Sequence, residues 1–245
     1  MARRILITGA SSGIGRACAE RFLDEGWIVG LVGRRGELLE EVAAGRPGAV
    51  VLPGDVAERD DVARIFAEFI ARAGRLDVLF NNAGIFTRAG LIDEIALEDW
   101  DRSLAVNLTG AMLCARAAFA QMRAQDPQGG RIINNGSISA HAPRPGSVCY
   151  TVTKHAMTGL TRTLALDGRP FRIACGQIDI GNAATELAAR FAEGVPQADG
   201  TVRPEAVMGL DPVVEAVACM AGLPLDANVL TMTVMASAMP FVGRG

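Results

Sequence analysis

Apolar runs of strand length alternate with amphipathic stretches of helix length along the whole chain. Arg4-Ile-Leu-Ile-Thr8 predicts a first strand, and Arg16 to Leu23 a helix behind a glycine-rich turn, with Gly26 as its stop. Further strands are predicted at Trp27–Val32, Ala49–Leu52, Leu76–Phe80, Arg131–Asn134, Ile173–Ile180 and Val229–Met235. Helices are predicted at Glu37–Ala44, Arg59–Ala73, Asp99–Ala124 (one long helix), Val148–Leu166 and Asp211–Gly222. In the segment from Arg59 to Ala73, Val62, Ile65, Phe66, Phe69 and Ile70 fall on one face. Such alternation implies an α/β architecture: a doubly wound parallel sheet of about seven strands with helices on both faces. No linker, composition break or repeat divides the chain, so residues 1–245 are expected to form a single domain. The least regular stretch, 188–209, carries Gly194, Pro196, Gly200 and Pro204 and is a candidate substrate lid.

Composition narrows the function classes. Of 245 residues, 50% are apolar and 21% charged, a globular balance that excludes a disordered chain. A chain of this length buries roughly three quarters of its unfolded surface and needs no disulfide or metal staple. A net charge of −3 without a basic run argues against nucleic acid and anionic membranes as partners. The two histidines, His141 and His155, are too few for most histidine-based metal sites, and no metal is expected. Five scattered cysteines without a C-x-x-C pair read as reduced, mostly buried thiols, with Cys149 taken as packing. A chain that runs directly into a strand, with no uninterrupted apolar run of about 18 residues, is expected to be cytoplasmic and to span no membrane.

Four constellations carry chemistry. Thr8-Gly-Ala-Ser-Ser-Gly-Ile-Gly15 lies between the first strand and first helix, where Gly9, Gly13 and Gly15 let backbone approach a dinucleotide pyrophosphate at a helix N-terminus. The second strand ends in Gly33-Arg34-Arg35, where an NAD site usually has a carboxylate. Two guanidinium groups suit the 2′-phosphate of NADP, although Glu37 is a possible acidic substitute and the arginines could be solvated loop charges. Asp55-Val56 and Asn81-Asn82-Ala83-Gly84 close the next two strands, where a carboxylate and an amide could meet adenine or serve as turn residues. The fourth is Tyr150-Thr-Val-Thr-Lys154. This pairs the only Tyr with the only Lys (the other 23 basic residues are Arg) on one helix face. An ammonium within about 4–6 Å is expected to lower a phenol by 1–3 units, towards general acid–base use.

Together the T-G-x-x-x-G-I-G loop, the N-N-A-G segment and the Y-x-x-x-K pair resemble the short-chain dehydrogenase/reductase family over almost the whole chain, which implies a Rossmann-like fold. The resemblance implies Tyr150 as acid–base and Lys154 as the group that binds the nicotinamide ribose and lowers the Tyr. It places the substrate-holding serine thirteen positions earlier, at Ser137, with Ser139 as competitor. Asn107 matches the family's helical Asn that supports a water-linked proton relay. The cofactor contacts it implies are Gly9, Ser11, Ser12, Gly13, Ile14, Gly15, Arg34, Arg35, Asp55, Val56, Asn82, Ala83, Gly84, Tyr150, Lys154, Ala183 and Thr185. Ile180-Gly181 stands where the family usually has Pro-Gly, and Met232 to Pro240 departs from its usual close, so substrate does not transfer from relatives.

The expected activity is NADP-dependent interconversion of a ketone and a secondary alcohol. Alternatives are a 3-oxoacyl-[acyl-carrier-protein] reductase-like enzyme, for which Arg123, Arg131 and Arg169 are scattered docking candidates, and a non-catalytic NADP-binding regulator. A homodimer or homotetramer is expected. Ala111, Ala115, Ala118 and Met122 form an apolar stripe that either pairs across a two-fold or faces the sheet.

Overall fold

Strand β1 (Arg4–Thr8) is apolar at every inward position because both of its faces are covered. Ile5 and Ile7 pack into one core and Leu6 into the other, as the period of two in a strand requires. The computed structural model describes residues 2–185 and 194–242. After β1 come α1 (Gly13–Asp24), β2 (Ile28–Gly33), α2 (Gly36–Ala43), β3 (Ala49–Pro53), α3 (Arg59–Ala73) and β4 (Val78–Asn81). Then follow α4 (Leu97–Leu104), a π-helical stretch (Ala105–Gly110), α5 (Ala111–Ala124), β5 (Gly130–Asn135), α6 (Val148–Asp167) and β6 (Ile173–Ile180). A small hairpin of β7 (Val195–Pro196) and β8 (Val202–Arg203) precedes α7 (Asp211–Gly222) and β9 (Thr231–Val234).

The main sheet has seven strands in the order β3-β2-β1-β4-β5-β6-β9, with every neighbouring pair parallel. Cys18 and Phe22 of α1 and Val213, Val217 and Met220 of α7 cover one face. Ile65 and Phe69 of α3 and Cys114, Ala118 and Met122 of α5 cover the other. The order reverses between β1 and β4. Sheets of this kind open a ligand crevice at that point, outside the carboxyl ends of the strands.

Two expectations need correction. The single helix over Asp99–Ala124 begins at Leu97 and is interrupted by the π-helical Ala105–Gly110. Wider winding sets Gly110 against Val56, where a Cβ would lie 2.9 Å from Val56 Cγ2, and aims Asn107 at the backbone of Ile85. The stripe of Ala111, Ala115, Ala118 and Met122 is the buried face of α5, at most 5% exposed. Small residues there let α5 lie close to the sheet, so the stripe is no subunit interface. Of the candidate lid 188–209, residues 188–193 lie outside the described residues; the remainder holds the hairpin and a buried carboxylate, Glu205. By length and composition the run Leu97–Ala124 could cross a bilayer, but Cys114, Ala118 and Met122 pack it onto the sheet.

Strand β6 runs through Ile180, paired with Val234, and Gly181 N–H donates to the Val234 carbonyl at 2.9 Å. A residue with free φ in place of proline lets the strand continue to its last position.

Candidate active site

A cleft of about 700 Å³ crosses the strand ends. At one end the turn Gly9–Gly15 is backbone-lined out of necessity. Gly9 and Gly13 adopt φ of +70° and +52°, and a Cβ on Gly15 would lie 2.2 Å from the Gly9 carbonyl oxygen. Helix α1 starts there with no side-chain cap on Ser12 and no acidic residue in its first turn. Its positive end is left for an anion, and Ser11, Ser12 and Ile14 line the same wall. That cradle fits the pyrophosphate of a nicotinamide dinucleotide.

Beside it, Arg35 Nη2 donates to Ser11 Oγ (3.0 Å) and Ser12 Oγ (2.8 Å), which anchors the guanidinium over the turn. Arg34 is 60% exposed and lies 3.7 Å from Asp55 Oδ2. Both arginines line the cleft, whereas Glu37 is an exposed residue of the first turn of α2 and does not. Asp55 Oδ1 accepts the Ala57 N–H (3.0 Å), and buried Val56 lines the wall with Ala83 and Gly84. Asn82 is committed to the fold. Its Nδ2 donates to the Thr8 carbonyl and its Oδ1 accepts from Asn135 Nδ2, both at 2.9 Å, tying β1, β4 and β5 together. Thr185 packs on Gly13, and Ala183 bridges to Met208 on the far wall.

At the other end stand Ser137, Tyr150 and Lys154. Ser137 follows β5; its hydroxyl accepts the Ser139 N–H at 3.1 Å and, beside Tyr150, draws the phenol down. Ser139, the competing serine, donates its backbone N–H to Ser137 and also lines the cleft. Tyr150 and Lys154 lie one turn apart on α6, with Nζ 5.4 Å from the phenol ring centre and 2.7 Å from the Asn135 carbonyl, to which it donates. Burial, with the charge of Asp179 adding to it, pushes Tyr150 up to about 12, against the opposing pull of Ser137 and Arg144. Burial draws Lys154 down to about 8, against Asp179. The expectation that Lys154 depresses Tyr150 is not met, because desolvation dominates both groups. Asn107 makes no direct bond to Lys154: Oδ1 accepts the Ile85 N–H (2.7 Å) and Nδ2 donates to the Ile85 carbonyl (2.9 Å), with Thr153 Oγ1 at 3.4 Å.

Several neighbours escaped the sequence reading. Phe86 stacks on Tyr150, with ring centres 3.9 Å apart. Arg144 lines the cleft and reaches Asn182 (2.9 Å) and Glu205 (2.6 Å), joining the loop before α6 to the described part of the lid. Asp179 and Gln177 sit inside β6. Their polar side chains within an otherwise apolar strand were the one available signal. Arg131, a candidate for carrier-protein docking, is 1% exposed and donates to the Pro224 and Ala227 carbonyls, so it faces no partner.

Comparison with known proteins follows this geometry. The profile described as short chain dehydrogenase matches residues 3–195. An uncharacterised oxidoreductase of Escherichia coli (strain K12) is 35% identical over 192 residues, 76% of this chain and 75% of the relative. A 3beta-hydroxysteroid dehydrogenase of Mediterraneibacter gnavus is 33% identical over 213 residues, 85% of this chain and 75% of the relative. Among solved structures, the closed form of a serine dehydrogenase complexed with NADP+ superposes with a TM-score of 0.87 at 26% identity, covering 99% of this chain and 98% of the other. A 3-ketoacyl-(acyl-carrier-protein) reductase from Brucella melitensis complexed with NADH gives 0.85 at 27%, covering 95% and 96%.

Proposed function

The chain belongs to the short-chain dehydrogenase/reductase family, an NAD(P)-dependent oxidoreductase acting on CH–OH and C=O groups, and on that premise we propose NADP-dependent interconversion of a ketone and a secondary alcohol. The observation that carries the proposal is the gathering of Ser137, Tyr150 and Lys154 at the opposite end of one cleft from the glycine turn.

In the proposed reaction Ser137 and Tyr150 hold the carbonyl oxygen, and the bound nicotinamide supplies the hydride. Tyr150 gives its proton to that oxygen in reduction and takes it back in oxidation. Lys154 lies one turn along α6, held by the Asn135 carbonyl, in position to meet the ribose and replenish the phenol. Asn107, closed on Ile85 and adjacent to Thr153, would hold the far end of that relay. Stacking by Phe86 covers one face of the phenol and keeps bulk water from it.

The preference for NADP is supported by Arg35 anchored over Ser11 and Ser12, by exposed Arg34, and by Glu37 standing off the cleft. Of the docking candidates for a carrier-protein reductase, Arg131 is buried while Arg123 and Arg169 are exposed, and that reading stays the alternative. A binding-only regulator has no use for a half-buried phenol and a buried ammonium paired in this way. The reading also includes a cytoplasmic setting and a homodimer or homotetramer, formed through surfaces other than the alanine stripe; Met112 on α5 and Val152 on α6, about 40% exposed, mark such outer faces. A panel of ketones and alcohols assayed with NADPH and NADH side by side tests the proposal. Turnover with NADPH well above NADH supports it, and equal or better turnover with NADH defeats the Arg35 argument.

A further inference from the structure

Beneath the reactive groups lies a carboxylate that this reaction does not use. Asp179, the penultimate residue of β6, is wholly buried. Its Oδ1 accepts the Ser137 backbone N–H at 3.0 Å and Gln177 Nε2 at 2.7 Å, and its Oδ2 lies 2.7 Å from His141 Nε2. Gly136 is shaped around it, since a Cβ there would lie 2.1 Å from Asp179 Oδ1. The segment that delivers Ser137 and the carboxylate are thus built against one another. Burying a carboxylate is unfavourable unless donors satisfy it, and here three do. A neutral amide could accept the same Ser137 N–H without that penalty, so what the carboxylate adds is charge.

Among the described residues, the charged or titratable groups around Asp179 are few. Tyr150 and Lys154 feel it from α6, Arg144 acts on the same phenol from the loop ahead of α6, and His141 touches it from the short turn after Ser137. On its own strand Gln177 is neutral, and β9 beside it, Thr-Met-Thr-Val, has no titratable side chain. The negative charge resists phenolate formation at Tyr150 and favours the ammonium of Lys154. The His141 side chain is 43% exposed while bonded to the wholly buried carboxylate, so the pair runs from the surface to the strand interior.

We propose that Asp179 and His141 are a pair of positioning residues for the carbonyl–alcohol reaction: Asp179 fixes the Ser137 backbone and sets a buried negative charge beneath Tyr150 and Lys154, and His141 holds the carboxylate in place through Oδ2. This rests on the reading that Ser137 and Tyr150 hold the substrate oxygen.

Asp179→Asn keeps the shape and an acceptor for Ser137 but removes the charge. The midpoint of the pH profile for alcohol oxidation is expected to fall by about one unit. Because Tyr150 is the only tyrosine, ultraviolet phenolate absorbance of the NADP+ complex reads the same group without turnover. Both midpoints moving down supports the pair, and both staying in place overturns it. A moved absorbance midpoint with an unmoved rate profile supports the hold on Tyr150 and overturns instead its assignment as the acid–base. His141→Leu, at a half-exposed position, removes the bond to Oδ2 and carries the test if Asp179→Asn does not fold. The phenolate midpoint should move up as the carboxylate loses that partner, and an unmoved midpoint overturns the proposal.

Discussion

Replacing Lys154 by Met separates the folding penalty of the buried ammonium from its use in the reaction. Lys154 is 5% exposed, and burial holds it at about 8 against an ordinary 10.5. A depression of about 2.5 units corresponds to about 3 kcal/mol against folding wherever the group is protonated in both states. Between pH 8 and 10.5 the unfolded chain keeps its proton and the folded chain has released it. The unfolded state therefore binds more protons, and wild-type stability rises with pH across this window relative to a neutral variant. Met removes the charge but strands the Asn135 carbonyl, which Nζ reaches at 2.7 Å, at a penalty of about 1–2 kcal/mol. At pH 7 the variant should thus be about 1–2 kcal/mol more stable than wild type, and at pH 10.5 less stable. Urea unfolding at several pH values checks this through the difference between the two proteins, which cancels every other titration. Turnover in the variant should be lost by a hundredfold or more. A stability difference that stays flat from pH 7 to 10.5 would refute the placing of a desolvated ammonium here.

The opposite slope is expected from the phenol: Tyr150, raised from 10 to about 12, leaves the folded state holding the extra proton, so Tyr150→Phe should remove a loss of stability seen between pH 10 and 12. Lys154→Arg keeps the charge but should still cost about a hundredfold in turnover with the fold intact, because a planar guanidinium is larger than the ammonium and cannot pass on a proton; most of the turnover surviving across pH 6 to 9 would disprove the pairing of Tyr150 with Lys154. Gly15→Ala places a Cβ 2.2 Å from the Gly9 carbonyl oxygen, and calorimetry should find weakened or absent dinucleotide binding together with a lowered Tm. Arg35→Ala should reduce the NADPH over NADH preference in kcat/KM by about tenfold, the scale of one charge-assisted contact, and an unchanged ratio would remove Arg35 from cofactor choice.

The frame of the fold was legible because its signals are local. Alternating apolar runs and helical faces mark β1 to α3 within one to three residues, and the glycines of the first turn stand where a side chain has no room. Spacing also brought Tyr150 and Lys154 to one face. Spacing could not weigh burial against charge, so the phenol was expected low and is found high. The alanine stripe failed for a related reason: small apolar residues at helical spacing suit a sheet-facing surface as well as a partner helix, and only the packing of α5 decides. The π-helical turn at Asn107 depends on contacts with Ile85 and Val56, distant in sequence. Asp179 lay hidden in a strand whose pattern otherwise reports only burial, and its partner His141 is identified by neither period nor motif.

The central claim is that Tyr150 moves the proton while NADP(H) moves the hydride. It is tested most directly by Tyr150→Phe, with NADPH affinity measured by fluorescence titration and turnover by NADPH consumption on the best ketone of the panel. The account predicts NADPH binding within about threefold of wild type and turnover down by about 10²–10⁴-fold, the range for removing a general acid. A variant that binds NADPH normally and keeps more than one tenth of wild-type turnover would contradict it.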